Sequence, residues 1–136
     1  DKGRIIKACI FCKHVTKDII LNIMNISLLR KVISEVIGTA FLVMIVIGSG
    51  IMGQNLSSDN LSILLANTLA TGVGLTTLIW VFIAISGAHF NPAVTVARGF
   101  TDTFTGIDPG FMLPFIGAQL IAALFAMLLM RFLLDD

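Results

Sequence analysis

The 136-residue chain is 57% hydrophobic and 12% charged, with a mean hydropathy of +0.99, a composition that excludes an ordinary soluble domain. Its formal net charge of +1 hides an uneven spread: Lys2, Arg4, Lys7, Lys13, Lys17, Arg30 and Lys31 all precede the first long apolar stretch. Orientation in a membrane accounts for that asymmetry, so no nucleic-acid partner is implied. The chain also lacks the paired carboxylates, nucleophile–base pair or metal-ligand cluster that would point to an enzyme, a metal or another cofactor.

Residues 1–27 read as a basic cytoplasmic lead-in or as the tail of an upstream segment. Ile19, Ile20, Ile23 and Ile26 give a rough helical spacing suited to lying on a membrane surface. Cys9 and Cys12 form a C-x-x-C with His14 close by. Zinc wants four ligands, and the other histidine, His89, lies two apolar stretches away. No βαβ pattern supports a redox motif, so the pair reads as reduced, non-ligand cysteines. The chain begins at Asp1 and stops as its last apolar stretch ends, and both ends read as cut.

A helix needs about 20 mostly apolar residues to cross a hydrocarbon core of about 30 Å. Residues 32–53, 61–85 and 111–134 meet that length, which predicts an all-α membrane protein with three spans. The positive-inside rule places the N-terminus in the cytoplasm, so Arg98, between the second and third spans, falls on the cytoplasmic side as well. Ala66, Ala70 and Gly74 on the second span, and Ala118, Ala122 and Ala126 on the third, recur every four residues. Such faces let helices approach closely where lipid supplies no hydrophobic force between them. Gly48-Ser49-Gly50-Ile51-Met52-Gly53 fits the G-x-G-x-x-G spelling, but it closes a span, with no preceding strand and no helix opening on it, and does not predict a nucleotide site.

The segment Ser86-Gly87-Ala88-His89-Phe90-Asn91-Pro92-Ala93-Val94-Thr95 lies between the second and third spans. Proline suits the first position of a helix and asparagine the cap before it. A helix over residues 92–100 would reach only about half-way across the membrane. The segment could be a tight surface turn, but Ala93, Val94, Val96, Ala97 and Phe100 are too apolar for a solvated loop. We expect a re-entrant half-helix whose N-terminus, with its positive dipole and free N–H groups, lies near mid-membrane.

This segment resembles the first signature loop of the aquaporin, or major intrinsic protein, family. Ser34-Glu35-Val36-Ile37-Gly38-Thr39-Ala40-Phe41-Leu42-Val43 resembles the start of that family's first helix, and Gly117-Ala118-Gln119 its third. The wording of residues 48–53 and 65–72 is similar to a bacterial branch often found near arsenic-resistance genes. The resemblance covers residues 28–134 and implies an aquaporin-like half-repeat over residues 28–136: three transmembrane helices plus one re-entrant half-helix. It implies a homotetramer in the plasma membrane, each subunit with its own pore built from two inverted repeats. Carried onto this sequence, Asn91 donates to the solute, Pro92 and Ala93 meet the partner half-helix, and Gly87, Ala88, His89 and Phe90 supply a ladder of carbonyls. Glu35 holds the loop from behind, against the plainer reading of an ion pair with Lys31 four residues earlier, and Gln119 supports it. His89 reads either as a pore residue or as a brace.

Counting back twenty residues from Asn91 gives Thr71 at the position of the outer constriction, where water-selective members carry a bulky aromatic residue. A threonine implies a wider, more polar filter, passing water, glycerol or a neutral metalloid hydroxide. A second Asn-Pro-Ala and its following arginine are absent, so the chain reads as the N-terminal half of a passive channel that needs its C-terminal half. Two other functions stay open at this level. One is a coupled secondary transporter with a broken-helix site and Glu35 as coupling group. The other is a non-conducting half-channel or anchor.

Overall fold

The computed structural model describes residues 27–101 and 105–134. The basic lead-in with Cys9, Cys12 and His14 therefore lies outside the described residues, apart from Ser27. The order of elements is α1 (Leu28–Leu56), α2 (Asn60–Ser86), α3 (Pro92–Gly99), a single 3-10 turn (Pro109–Phe111) and α4 (Met112–Leu134). Among the described residues, three helices are long and apolar enough to cross a membrane; this is a multi-pass, all-helical membrane protein.

Local chemistry sets where each helix stops and starts. Asp59 caps α2 by accepting from the Ser62 backbone N–H at 2.9 Å and the Ser62 hydroxyl at 2.6 Å. At the other end of α2, Gly87 adopts a left-handed φ of 89° and returns its N–H to the Ile83 carbonyl, the helix-stop geometry that glycine permits at least cost. Asp108 caps the 3-10 turn through Gly110 at 2.8 Å, leading directly into α4.

Close approaches give the register. Along α1 and α2, Gly53 faces Ile63, Gly50 faces Asn67, and Ile45 faces Gly74, so these helices run antiparallel. Glu35 meets Gln119 and Gly48 meets Met130, so α1 and α4 run parallel. The glycines of the G-x-G-x-x-G run thus serve packing: each admits a neighbour that a Cβ would meet at 3.1 Å. Ala118, Ala122 and Ala126 are all buried along α4. On α2 the expected small-residue face is only partly used. Ala66 is exposed, whereas Gly74 lies against Ile45, where a Cβ would come within 2.7 Å of the side chain.

The interior is small and polar, and the outside is greasy. Ser34, Glu35, Gly38 and Thr39 form the buried stripe of α1, while Leu29, Ile33, Ile37 and Phe41 point outward. In water that arrangement would be unstable. In lipid it is expected, because association there rests on close packing and hydrogen bonds.

Candidate functional site

The site is assembled where the Ser86–Asn91 loop folds back against α1 and α4. Its centre is Glu35, which is fully buried. One carboxylate oxygen accepts from the Ser86 hydroxyl at 2.6 Å and the His89 backbone N–H at 3.0 Å. The other accepts from the Phe90 backbone N–H at 2.7 Å and Gln119 Nε2 at 2.9 Å. Four donors, three from the loop and one from α4, converge on one charge. A buried carboxylate is tolerable only with such saturation. Glu35 faces the loop, and Lys31 is not among its partners.

The loop backbone needs this anchor. Ala88 and Phe90 both have φ of 52°, a left-handed conformation that costs a residue with a Cβ about 1 kcal/mol or more. The Ala88 N–H bonds the Ser86 hydroxyl at 3.2 Å, and the next two N–H groups go to Glu35. The Phe90 ring then enters a slot in α1: a Cβ on Gly38 would lie 2.0 Å from its Cε1. Phe82 closes the slot edge-to-face at 5.8 Å.

A second chain of hydrogen bonds runs outward from Glu35. Gln119 Nε2 also donates to Thr95 Oγ1 at 2.9 Å. Thr95 Oγ1 lies 3.1 Å from His89 Nδ1, and His89 Nε2 lies 2.9 Å from the Thr105 carbonyl. A carbonyl only accepts, so Nε2 carries a proton. In the neutral imidazole Nδ1 then accepts from the Thr95 hydroxyl. Every proton in the sequence Gln119–Thr95–His89–Thr105 thereby has a direction. The His89 ring is buried and packs edge-to-face on Phe115 at 5.5 Å. Both ring nitrogens are thus held by the protein itself.

Beyond the loop, α3 starts with Asn91 as cap and Pro92 at its first position. Asn91 Oδ1 accepts from the Ala93 N–H at 2.8 Å. This uses its oxygen and leaves Nδ2 without a partner among the described residues. Asn91 and Ala93 are exposed and Pro92 is half-buried. At the far end, Gly99 abuts Met112, the first residue of α4. The short helix therefore starts level with Glu35 and Gly38, about 10–15 Å along α1 from its first residue, and returns to the level where α4 begins.

The expected carbonyl ladder is narrower than four. The Gly87 carbonyl accepts from the Arg98 guanidinium; those of Ala88, His89 and Phe90 take no hydrogen bond among the described residues. Thr71 sits apart on α2, half-buried, with its hydroxyl donating to Asn67 Oδ1 at 3.1 Å. Sequence reasoning gave no role to Thr95, Ser86, Arg98 or Asn67. Thr95 could have been found by its spacing, one helical turn after Asn91 on the inward side of α3; the other three had no comparable signal.

Comparisons with known proteins bear on the chain's family. The chain is similar to the aquaglyceroporin AqpS of Rhizobium meliloti, 43% identical over 81 residues that make up 60% of this chain and 35% of that protein. It is similar to an aquaporin of Laccaria bicolor, 36% identical over 104 residues, 70% of this chain and 38% of the relative. With the aquaporin AqpM of Methanothermobacter thermautotrophicus it shares 34% identity over 116 residues, 74% of this chain and 46% of the relative. The chain thus spans less than half the length of these relatives. No solved structure gives a significant match. The family described as Major intrinsic protein matches residues 22–136, and the chain belongs to that family.

Proposed function

We propose that this chain forms one half of a passive transmembrane channel for water and small neutral solutes such as glycerol or a neutral metalloid hydroxide. The observation that carries this reading is Asn91. Its oxygen is engaged by the helix cap and its Nδ2 has no partner among the described residues, at a half-helix terminus held within the bundle by Glu35. A passing solute meets donors on this side and the carbonyls of Ala88, His89 and Phe90 on the approach. A water molecule accepting from Asn91 turns its hydrogens away from that point. The positive end of the α3 dipole disfavours cations there. Thr71 contributes a small polar wall to the outer constriction.

The exposed Ala93, beside half-buried Pro92, calls for a partner half-helix, which this reading assigns to the C-terminal half of the same protein, in a homotetramer in the plasma membrane with its N-terminus in the cytoplasm. The basic residues before α1 support that orientation. Among the described residues, Glu35 is the one carboxylate within a membrane span, and its full burial among four donors argues against a reversible coupling role.

The test is osmotic swelling of proteoliposomes containing the complete protein. Swelling in glycerol that ignores proton and sodium gradients is expected. Asn91→Asp keeps a capping oxygen and removes the free donor, so it should reach the membrane normally and lose most of the solute flux. Undiminished flux in that variant would refute the assignment of Asn91.

A further inference from the structure

Helix α2 carries four threonines, and one of them behaves differently. Thr68, Thr76 and Thr77 return their hydroxyls to the carbonyls four residues back, Leu64, Gly72 and Val73, at 2.8–2.9 Å. That back-bond is the default for a threonine in an apolar helix. Thr71 instead donates to the side-chain oxygen of Asn67 at 3.1 Å. The Asn67 side chain is itself fixed from α1. Ser49 Oγ lies 3.3 Å from the same oxygen, sharing its proton with the Ile45 carbonyl at 2.6 Å. Gly50 leaves room for the amide nitrogen, which a Cβ there would meet at 3.1 Å. An asparagine inside a membrane span is costly unless its polar atoms are used, and here its oxygen is used by Ser49 and Thr71.

A threonine hydroxyl has one proton and two lone pairs. With the proton committed to Asn67, Thr71 has only lone pairs to offer elsewhere. We infer that Asn67 is a positioning residue: by taking the Thr71 proton it holds that hydroxyl off the backbone as an acceptor facing the pore, selecting neutral solutes that bring O–H donors. This rests on the reading of Thr71 as a wall of the outer constriction. Without the Asn67 amide, Thr71 falls back onto its own helix carbonyl, as its three neighbours do, and turns its hydroxyl from the pore.

The experiment measures glycerol and water permeability of the complete protein in proteoliposomes, for the parent, Asn67→Leu, Thr71→Val and the double variant. Asn67→Leu should lower the glycerol-to-water ratio about 2- to 10-fold, the span of one neutral hydrogen bond. The ratio should fall similarly in Thr71→Val, and adding Asn67→Leu to Thr71→Val should change it no further. Asn67→Ala, which suits a helix anywhere, gives the same comparison should the leucine variant not reach the membrane. A simple structural role would lower both permeabilities together and leave their ratio alone, and that outcome overturns the inference. So does an Asn67 effect that persists in the Thr71→Val background. An unchanged ratio in conducting Thr71→Val removes Thr71 from the pore wall and takes this inference with it. Absence of solute flux in the parent protein instead overturns the channel reading itself.

Discussion

Replacing Glu35 by glutamine keeps the shape of the side chain and removes its charge, and the cost can be worked from its four donors. The new amide has one acceptor oxygen, so its NH₂ must face one of two donor pairs. Facing Phe90 N–H and Gln119 Nε2 would set it against two nitrogens. Facing Ser86 and His89 is cheaper, because the Ser86 hydroxyl can rotate and accept. The His89 backbone N–H then stays buried and unpaired, at about 1–3 kcal/mol, and the two bonds to the remaining oxygen lose charge assistance at about 1 kcal/mol each. The sum is about 3–5 kcal/mol. It falls on the loop that holds Ala88 and Phe90 at positive φ, so the loop should open before the bundle does. Hydrogen exchange in detergent should show the His89 and Phe90 amides exchanging at least roughly a hundredfold faster, at 1.4 kcal/mol per tenfold. Peptides from the α1–α4 contact should be less affected. Exchange at these two amides within about twofold of the parent would refute the view that the carboxylate anchors the loop.

Two further outcomes follow from the same packing. Gly38→Ala places a methyl group where the Phe90 ring lies and should destabilise the protein by about 1–3 kcal/mol in a detergent unfolding titration; combining it with Phe90→Leu should recover part of that loss. At the α1–α2 turn, the hydroxyl and backbone N–H of Ser62 hold the Asp59 carboxyl below the usual carboxylate range. A depressed carboxylate stabilises above its unfolded-state pKa and loses that contribution as pH falls through the folded value. Asp59→Ala should therefore lower the thermal midpoint at pH 7, and the gap from the parent should close as pH drops below about 4; a gap that is constant with pH would mean that the cap's charge is irrelevant.

How much of this was legible in the sequence follows from which signals are local. Membrane spans announce themselves by length and hydropathy, and the half-helix start by Asn91 and Pro92, because a cap and a first-turn proline act on their immediate neighbours. The special status of Glu35 was legible as a carboxylate in an apolar stretch, which demands partners. The identity of those partners was not, since they come from residues 51 to 84 positions away. Small-residue spacing was a partial guide: it marked the buried alanines of α4 and misjudged Ala66, because periodicity gives a face without saying what lies opposite. For His89 the sequence offered a pore role and a brace equally. The choice depends on the Thr105 carbonyl and the Thr95 hydroxyl, neither of which is within five residues.

The two halves of the site divide the work in a way that hydrogen-bond arithmetic explains. A group can present a fixed polarity to a passing solute only if its opposite polarity is already satisfied by the protein. Asn91 approaches that condition by engaging its oxygen with Ala93, which leaves the Nδ2 donors facing away from the cap. Thr71 meets it by giving its proton to Asn67, and so can only accept. The Gly87 carbonyl fails it, since Arg98 already occupies it, and the acceptors left at the loop begin at Ala88. On the channel reading proposed above, each pore-facing polarity is set by a residue one step behind it. Substitutions at Ala93 and Asn67 that remove those rear contacts should change which solutes pass. Ala93→Pro removes the N–H that holds the Asn91 oxygen, and because Ala93 lies in the first turn of α3 no intrahelical hydrogen bond is lost with it. It should free the Asn91 amide to rotate and reduce discrimination between water and glycerol, read as the ratio of their permeabilities in proteoliposomes. An unaltered ratio would show that the cap does not set the orientation of Asn91.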